Sequence, residues 1–334
     1  MAPRLAIVGA GSVGLSLTAR LAASGSDVWL LARRAESALA IAARGIDVYD
    51  PASGDRLNAR PAAVSTLERC DALDGRLLIV CVRAPDSEAL APRLAGLAPE
   101  ATVVCAQNDV DNEDRFSRHF RSVIGVVVRQ TCARTAPNAV NALGAGRLIV
   151  GAHPSGETDA VGALADAFRL AGFDVGISPR IGEDKWLKLC INLMSVPNAL
   201  IHPDEHTAPA FVEIKATIVE EARAALSAAG ITARSCDGRD RSLDEEIAFQ
   251  RASRSAGQSA RRLPVYNAVW GSLRHGSPLE ADLHHERILA LSAAHGLEAP
   301  MNRRALELVL RARREARGPE SARCSDFLSA LPDR

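Results

Sequence analysis

The chain has 334 residues, 47% of them apolar, and its 40 basic side chains balance 40 acidic ones to a formal net charge of zero. That length suits two domains, and the balanced charge leaves no footprint for nucleic acid or an anionic membrane, so the expected partner is a small molecule. Seven cysteines lie scattered with no C-x-x-C pair, several within apolar runs, which reads as reduced core residues of a cytoplasmic protein. A first strand is expected from Arg4, which leaves no room for a signal peptide, and no apolar run approaches membrane-spanning length.

Leu5-Ala-Ile-Val8 predicts a short strand, Gly9-Ala-Gly-Ser-Val-Gly14 a glycine-rich turn, and Leu15, Leu17, Leu21 and Ala22 the apolar side of a helix. A second strand, Val28-Trp-Leu-Leu31, follows at once. Within such a β-α-β unit Gly9 allows the tight turn, Gly11 the approach of a pyrophosphate and Gly14 the packing of helix on strand. The amides of Ser12 and Val13 then point from the helix N-terminus towards the phosphates. An acidic residue at the end of the second strand would accept the ribose hydroxyls of NAD. This chain has Arg33 there, with Arg83 after the strand Leu77–Val82, and this pair favours the 2′-phosphate of NADP. The alternative for each arginine is a solvated loop charge. Further strands at Thr102–Ala106 and Val123–Val128 alternate with helical segments at Pro85–Leu97 and Glu113–Phe120, so a mostly parallel sheet with helices on both faces is expected. Gln107 and Asn108 fall just after the strand at Thr102–Ala106, at the carboxyl edge where open α/β sheets bind ligands, with Asn108 placed for the nicotinamide end. Asn108-Asp109 is equally ordinary turn chemistry.

After Pro179 the pattern turns helical, which divides the chain into a nucleotide-binding domain over 1–179 and an all-α domain over 180–334, with a substrate cleft between them. A buried helix is predicted over Glu183–Leu200, a longer one over Pro209–Ala229, and a final pair over Leu279–His295 and Asn302–Arg314. Asp237–Ser259 reads as a polar, arginine-rich helix or loop. The chain contains only three lysines, Lys185, Lys188 and Lys215, two of them in one apolar helix. An ammonium moved into a dry site can give up its proton near neutral pH, whereas arginine cannot. Lys188 and Asn192 share a helix face, and Lys185 is the competing lysine, the bland reading being that either snorkels to solvent. Ser277-Pro-Leu-Glu280 reads as a capping box with proline at the first helical position, a role that suffices for Glu280. Among Glu280, Asp282, His284, His285 and Glu286 only Glu280 and His284 share a face, too few ligands for a metal site.

Together Gly9–Gly14, Gln107-Asn108, Trp186-Leu-Lys-Leu-Cys-Ile-Asn192 and Leu279-Glu-Ala-Asp282 resemble the ketopantoate reductase (2-dehydropantoate 2-reductase) family over nearly the whole chain. The resemblance implies a Rossmann-type domain followed by a helical one, and NADPH-dependent reduction of a 2-oxo acid to its 2-hydroxy acid within pantothenate biosynthesis; a homodimer is compatible with it. It further implies Lys188 as general acid, Glu280 as a second functional carboxylate, Asn108 and Asn192 as substrate contacts, and Arg33 and Arg83 on the 2′-phosphate. Where the family has a further asparagine, a serine and an aspartate, this chain has Val196, Ala268 and Ser272. Those departures leave two alternatives open, an opine-type or 3-hydroxy acid dehydrogenase and a non-catalytic NADPH-binding regulator. On this reading Lys188→Arg is expected to abolish most turnover and Lys185→Arg to spare it.

Overall fold

The computed structural model describes residues 3–70, 73–252, 267–276 and 278–329. The chain forms two compact units, the first reaching to Lys185 and the second starting at Trp186.

The strands of the first unit are β1 (Arg4–Val8), β2 (Val28–Leu31), β3 (Ile46–Tyr49), β4 (Arg56–Ala59), β5 (Ala63–Ser65), β6 (Arg76–Val80), β7 (Thr102–Cys105), β8 (Ser122–Arg129), β9 (Cys132–Ala136), β10 (Ala139–Ala142), β11 (Arg147–His153) and β12 (Asp174–Ile177). Eight of them form one sheet in the order β12-β11-β8-β7-β6-β1-β2-β5, parallel at every pairing except β8 with β11. Successive side chains of a strand point to opposite faces, and β1 shows it: Leu5 and Ile7 join a core with Leu15, Leu17 and Leu21 of α1 (Ser12–Ala23), Ile41 of α2 (Ala35–Arg44) and Phe168 of α5 (Asp159–Leu170). Ala6 and Val8 join the opposite core with Leu90 and Leu94 of α3 (Ser87–Leu97) and Phe116 of α4 (Asn112–Ser117). The mostly parallel, doubly covered sheet expected from the sequence is what forms.

A second sheet, β4-β3-β10-β9, packs Ile46, Val48, Val140 and Ala142 into the core that holds α1. Neither this sheet nor β11, β12 and α5 is among the predicted elements. Its strands are short, and β4 buries only Ala59, so there is little apolar alternation to detect.

The second unit is helical apart from one bridge between Ile201 and Ala322, among the described residues. It comprises α6 (Ile181–Asn192), which begins in the first unit, then α7 (Ser195–Leu200), α8 (Pro209–Ala228), α9 (Leu243–Ala252), α10 (Ala268–His275), α11 (Ala281–Ala294), α12 (Pro300–Arg314) and α13 (Cys324–Leu328). The single helix predicted over Glu183–Leu200 is therefore two. The cause is Pro197, whose ring clashes with the carbonyl four residues back, at Leu193, and which has no N–H to give it. The turn tightens there, with Met194 N–H bonding back to Ile191 rather than Cys190. In the stretch predicted as polar helix or loop, α9 buries Leu243 and Ile247 and packs on α8, while 253–259 lie outside the described residues.

Among the described glycines, the closest backbone approach is at the start of α1. A Cβ added to Gly14 would stand 1.9 Å from the carbonyl oxygen of Gly9, and Gly9 itself has φ +114°, a backbone conformation that L side chains rarely adopt. Gly14→Ala must push α1 off β1, and a destabilisation of about 3 kcal/mol is expected from such overpacking. Urea unfolding of the variant checks it; an unchanged midpoint would show that the helix can move away at no cost.

Candidate active site

The parallel strands β7, β6, β1 and β2 end in register, with Val8 beside Leu31 and Val80, and Val80 beside Cys105. The loops that follow them therefore emerge along one carboxyl edge, which brings Gly9–Gly14, Arg33, Arg83 and Gln107-Asn108 to the same side of the first unit. The chain leaves β1 towards β2 on one side and returns to β6 on the other, and such a switch point is where open sheets bind ligands. Gly11 is the N-cap of α1 and makes no side-chain cap. Leu15 is the first residue to bond back, to the Gly11 carbonyl, so the amides of Ser12, Val13 and Gly14 point out of the helix end, where they and the helix dipole favour an anion.

Arg33 and Arg83 converge on one carboxylate. Asp86 Oδ2 lies 3.5 Å from Arg33 Nη1, and its Oδ1 lies 3.4 Å from Arg83 Nη2. The Arg33 side chain is 71% exposed, so its pairing contributes little to stability; the contacts place the two guanidinium groups beside one carboxylate. Among the described residues the glycine cradle, this cationic pair and the side-chain oxygen of Gln107, a buried acceptor with no donor, together fit a nicotinamide dinucleotide.

Gln107 is buried and Asn108 half-buried beside it. The Gln107 amide donates to Ser87 Oγ at 3.0 Å, and Ser87 Oγ donates to Asn112 Oδ1 at 2.9 Å. Asp109 is held by the Val110 amide at 2.8 Å and faces Arg115 at 3.4 Å. Lys185 does not snorkel to solvent. It is buried in the first unit, paired with the Glu113 carboxylate and donating to the Cys105 and Gln107 carbonyls at 3.3 and 3.4 Å. Burial raises the Glu113 pKa and the ammonium beside it works in the opposite direction. Ser87, Asn112 and Glu113 have no signature of their own in the sequence; only the presence of a lysine in an apolar helix marked the cluster.

In the second unit Lys188 and Asn192 lie one turn apart on α6, both half-buried, and Leu187 and Leu189 on either side of the lysine are fully buried. The capping box read at Ser277–Glu280 does not form as expected: α11 starts at Ala281, Glu280 is itself the N-cap, and its side chain makes no capping hydrogen bond. Proline is thus outside the helix, and Ser277 lies outside the described residues. Val196 is fully buried in α7, Ala268 is exposed at the start of α10, and the Ser272 hydroxyl donates to the Pro278 carbonyl at 3.2 Å.

A family profile described as "Ketopantoate reductase PanE/ApbA" matches residues 5–155. The 2-dehydropantoate 2-reductase of Halobacterium salinarum is 24% identical over 319 residues, which cover 93% of this chain and 99% of the relative. The crystal structure of 2-dehydropantoate 2-reductase from Geobacter metallireducens is 27% identical, with a TM-score of 0.73 and coverage of 92% of this chain and 99% of that one. The chain resembles the ketopantoate reductase family, through the profile over residues 5–155 and through these relatives over nearly its whole length. A D-mandelate dehydrogenase solved with NADH and anilino(oxo)acetate shares the fold at a TM-score of 0.77 and 21% identity, covering 94% of this chain and 99% of its own. The profile match ends before α5, so in this chain the dinucleotide half matches the profile and the helical half matches through the full-length relatives.

No group of three or more metal-ligating side chains occurs among the described residues. His285 has a structural use instead. Its Nδ1 donates to Asn302 Oδ1 at 2.9 Å, and the Asn302 amide donates to the Ile218 carbonyl and to Glu221. Burial pushes the imidazole down to about 4 from an ordinary 6.5, against the opposing hydrogen bond to Asn302. A histidine with a depressed folded pKa adds stability that is whole above its unfolded pKa and is lost as pH falls, here through the window from 6.5 to about 4. The loss amounts to about 3 kcal/mol at the acid end. Urea unfolding at pH 7 and pH 4.5 should show wild type losing about 2 kcal/mol more than His285→Gln; equal losses would show that His285 is not held neutral.

Proposed function

We propose that this protein is a cytoplasmic, NADPH-dependent reductase of a 2-oxo acid, with ketopantoate the first substrate to test. The observation that carries the reading is the gathering of Gly9–Gly14, the Arg33–Arg83 pair and Gln107-Asn108 along one carboxyl edge, in a chain whose residues 5–155 match the ketopantoate reductase profile. A bound nicotinamide would supply the hydride that reduces the substrate carbonyl. Gly11 leaves room for the pyrophosphate against the amides of Ser12 and Val13, Gly9 and Gly14 let α1 sit close on β1, and Arg33 and Arg83 take the 2′-phosphate. Gln107 and Asn108 orient the nicotinamide end, with Asn108 also reaching the substrate. Lys188 stabilises negative charge developing on the carbonyl oxygen and then gives it a proton, which a guanidinium does poorly. Asn192 and Glu280 bind and orient the substrate.

One observation favours a second reading of the substrate. Val196 has no polar side-chain atom, and the Ser272 hydroxyl proton is committed to the Pro278 carbonyl, so neither offers a donor to a polar ligand. A site with fewer donors rejects a hydroxylated acid more than an apolar one. A 2-oxo acid with an apolar side chain is therefore the runner-up to ketopantoate.

Turnover of a 2-oxo acid panel, followed by NADPH oxidation, tests the reaction. Lys188→Arg is expected to lower kcat by about 10²-fold or more while dinucleotide affinity stays within about 3-fold; undiminished turnover would remove Lys188 from the proton-donor role. Arg33→Asp is expected to shift the NADPH to NADH ratio of kcat/KM towards NADH by about ten-fold, from one lost charge-assisted contact. An unchanged ratio would mean the arginine does not meet the cofactor.

A further inference from the structure

We infer that Lys185 is a positioning residue, whose buried ammonium locks the backbone that carries Asn108. What Asn108 does rests on the function proposed above; what Lys185 does to the segment does not.

An ammonium has three protons to donate. The Lys185 ammonium faces three acceptors: the carbonyl of Cys105 at 3.3 Å, the carbonyl of Gln107 at 3.4 Å and the carboxylate of Glu113. The two carbonyls bracket Ala106, whose amide makes the last bond of the strand edge, to the Val80 carbonyl. Beyond that point the ladder has ended, and the lysine takes over at Gln107, immediately before Asn108. On the other side of the same turn, the Gln107 side chain is tied through Ser87 to Asn112, and Asp109 is tied to Val110 and Arg115. Residues on both sides of Asn108 are thus anchored, while Asn108 itself stays half-exposed at the carboxyl edge.

Space has been left for this pair. Gly125 of β8 lies beside Cys105, and a Cβ there would come within 3.0 Å of the Glu113 carboxylate and 2.8 Å of Ile181. The Lys185 and Glu113 side chains are only 5% and 3% exposed. Burying two charges of this kind is commonly no better for stability than an aliphatic pair of the same volume, and breaking one is harmful. Lysine rather than arginine is required, because a planar fork cannot point three donors at acceptors set around one atom. This accounts for a lysine retained in a chain that otherwise uses arginine, and it reverses the expectation that Lys185→Arg is silent.

The test uses the full-length protein with Lys185→Met, with Lys185→Arg, and with the charge-free pair Lys185→Met/Glu113→Leu in case the single variants fail to fold. Amide hydrogen exchange over residues 105–111, measured without ligand, should speed up by about ten-fold in each variant that folds, with exchange in β1 and β6 unchanged. In turnover, Lys185→Met should fall to the level of Asn108→Ala, and Lys185→Met/Asn108→Ala should fall no further, since two residues acting through one group are not additive. The inference is overturned if exchange over 105–111 in the charge-free pair matches wild type, or if the Lys185 and Asn108 losses multiply. If exchange rises as expected while Asn108→Ala alone leaves turnover intact, the locking role of Lys185 stands and the role proposed for Asn108 fails.

Discussion

The approach of one backbone to another, Gly14 against the Gly9 carbonyl, is the constraint on which the nucleotide half depends. With α1 seated that low on β1, its first amides open onto the carboxyl edge of the sheet rather than onto a neighbouring strand. Leu15, Leu17 and Leu21 then fill the core beneath, where the small second sheet closes over them. The same seating makes the helix start a fixed reference for the loops after β2, β6 and β7, whose strand ends are in register with β1 or with its neighbour β6. The anion-attracting end of a helix and the turn carrying Asn108 are held to one frame by hydrogen-bonded strands, with no flexible connection between them.

What was readable in the sequence follows the distance over which each contact acts. The β-α-β unit at the N-terminus announces itself because its strand, turn and helix are consecutive and each has its own signal. The β4-β3-β10-β9 sheet does not, since β3 pairs with β10 from a remote part of the chain and the strands are too short and mixed to show a period. Pro197 did carry a local signal, and the break it makes between α6 and α7 follows from the proline rule alone. At the site, Arg33 and Arg83 could each be picked out after a strand, but Asp86 joining them could not. Lys185 was conspicuous by its rarity, yet its partners at Cys105, Gln107 and Glu113 come together only through the pairing of β7 with β8 and the packing of α4, so local reading made it a rival to Lys188.

The two lysines of α6 show how one helix can serve different ends. Lys185 points all its donors at fixed acceptors in the sheet unit. Lys188, three residues on, belongs to the helical unit and keeps partial exposure between two buried leucines. Three residues of helix advance the side chain by most of a turn, yet the division into compact units falls between them.

Asp86 gives the cationic pair a further property. Two guanidinium groups facing one carboxylate form a cluster that is already partly neutralised, so an arriving anion meets a tethered competitor at high effective concentration. Binding there is an exchange of one counter-ion for another. A group that reaches both guanidinium groups has either to displace the Asp86 carboxylate or to share them with it.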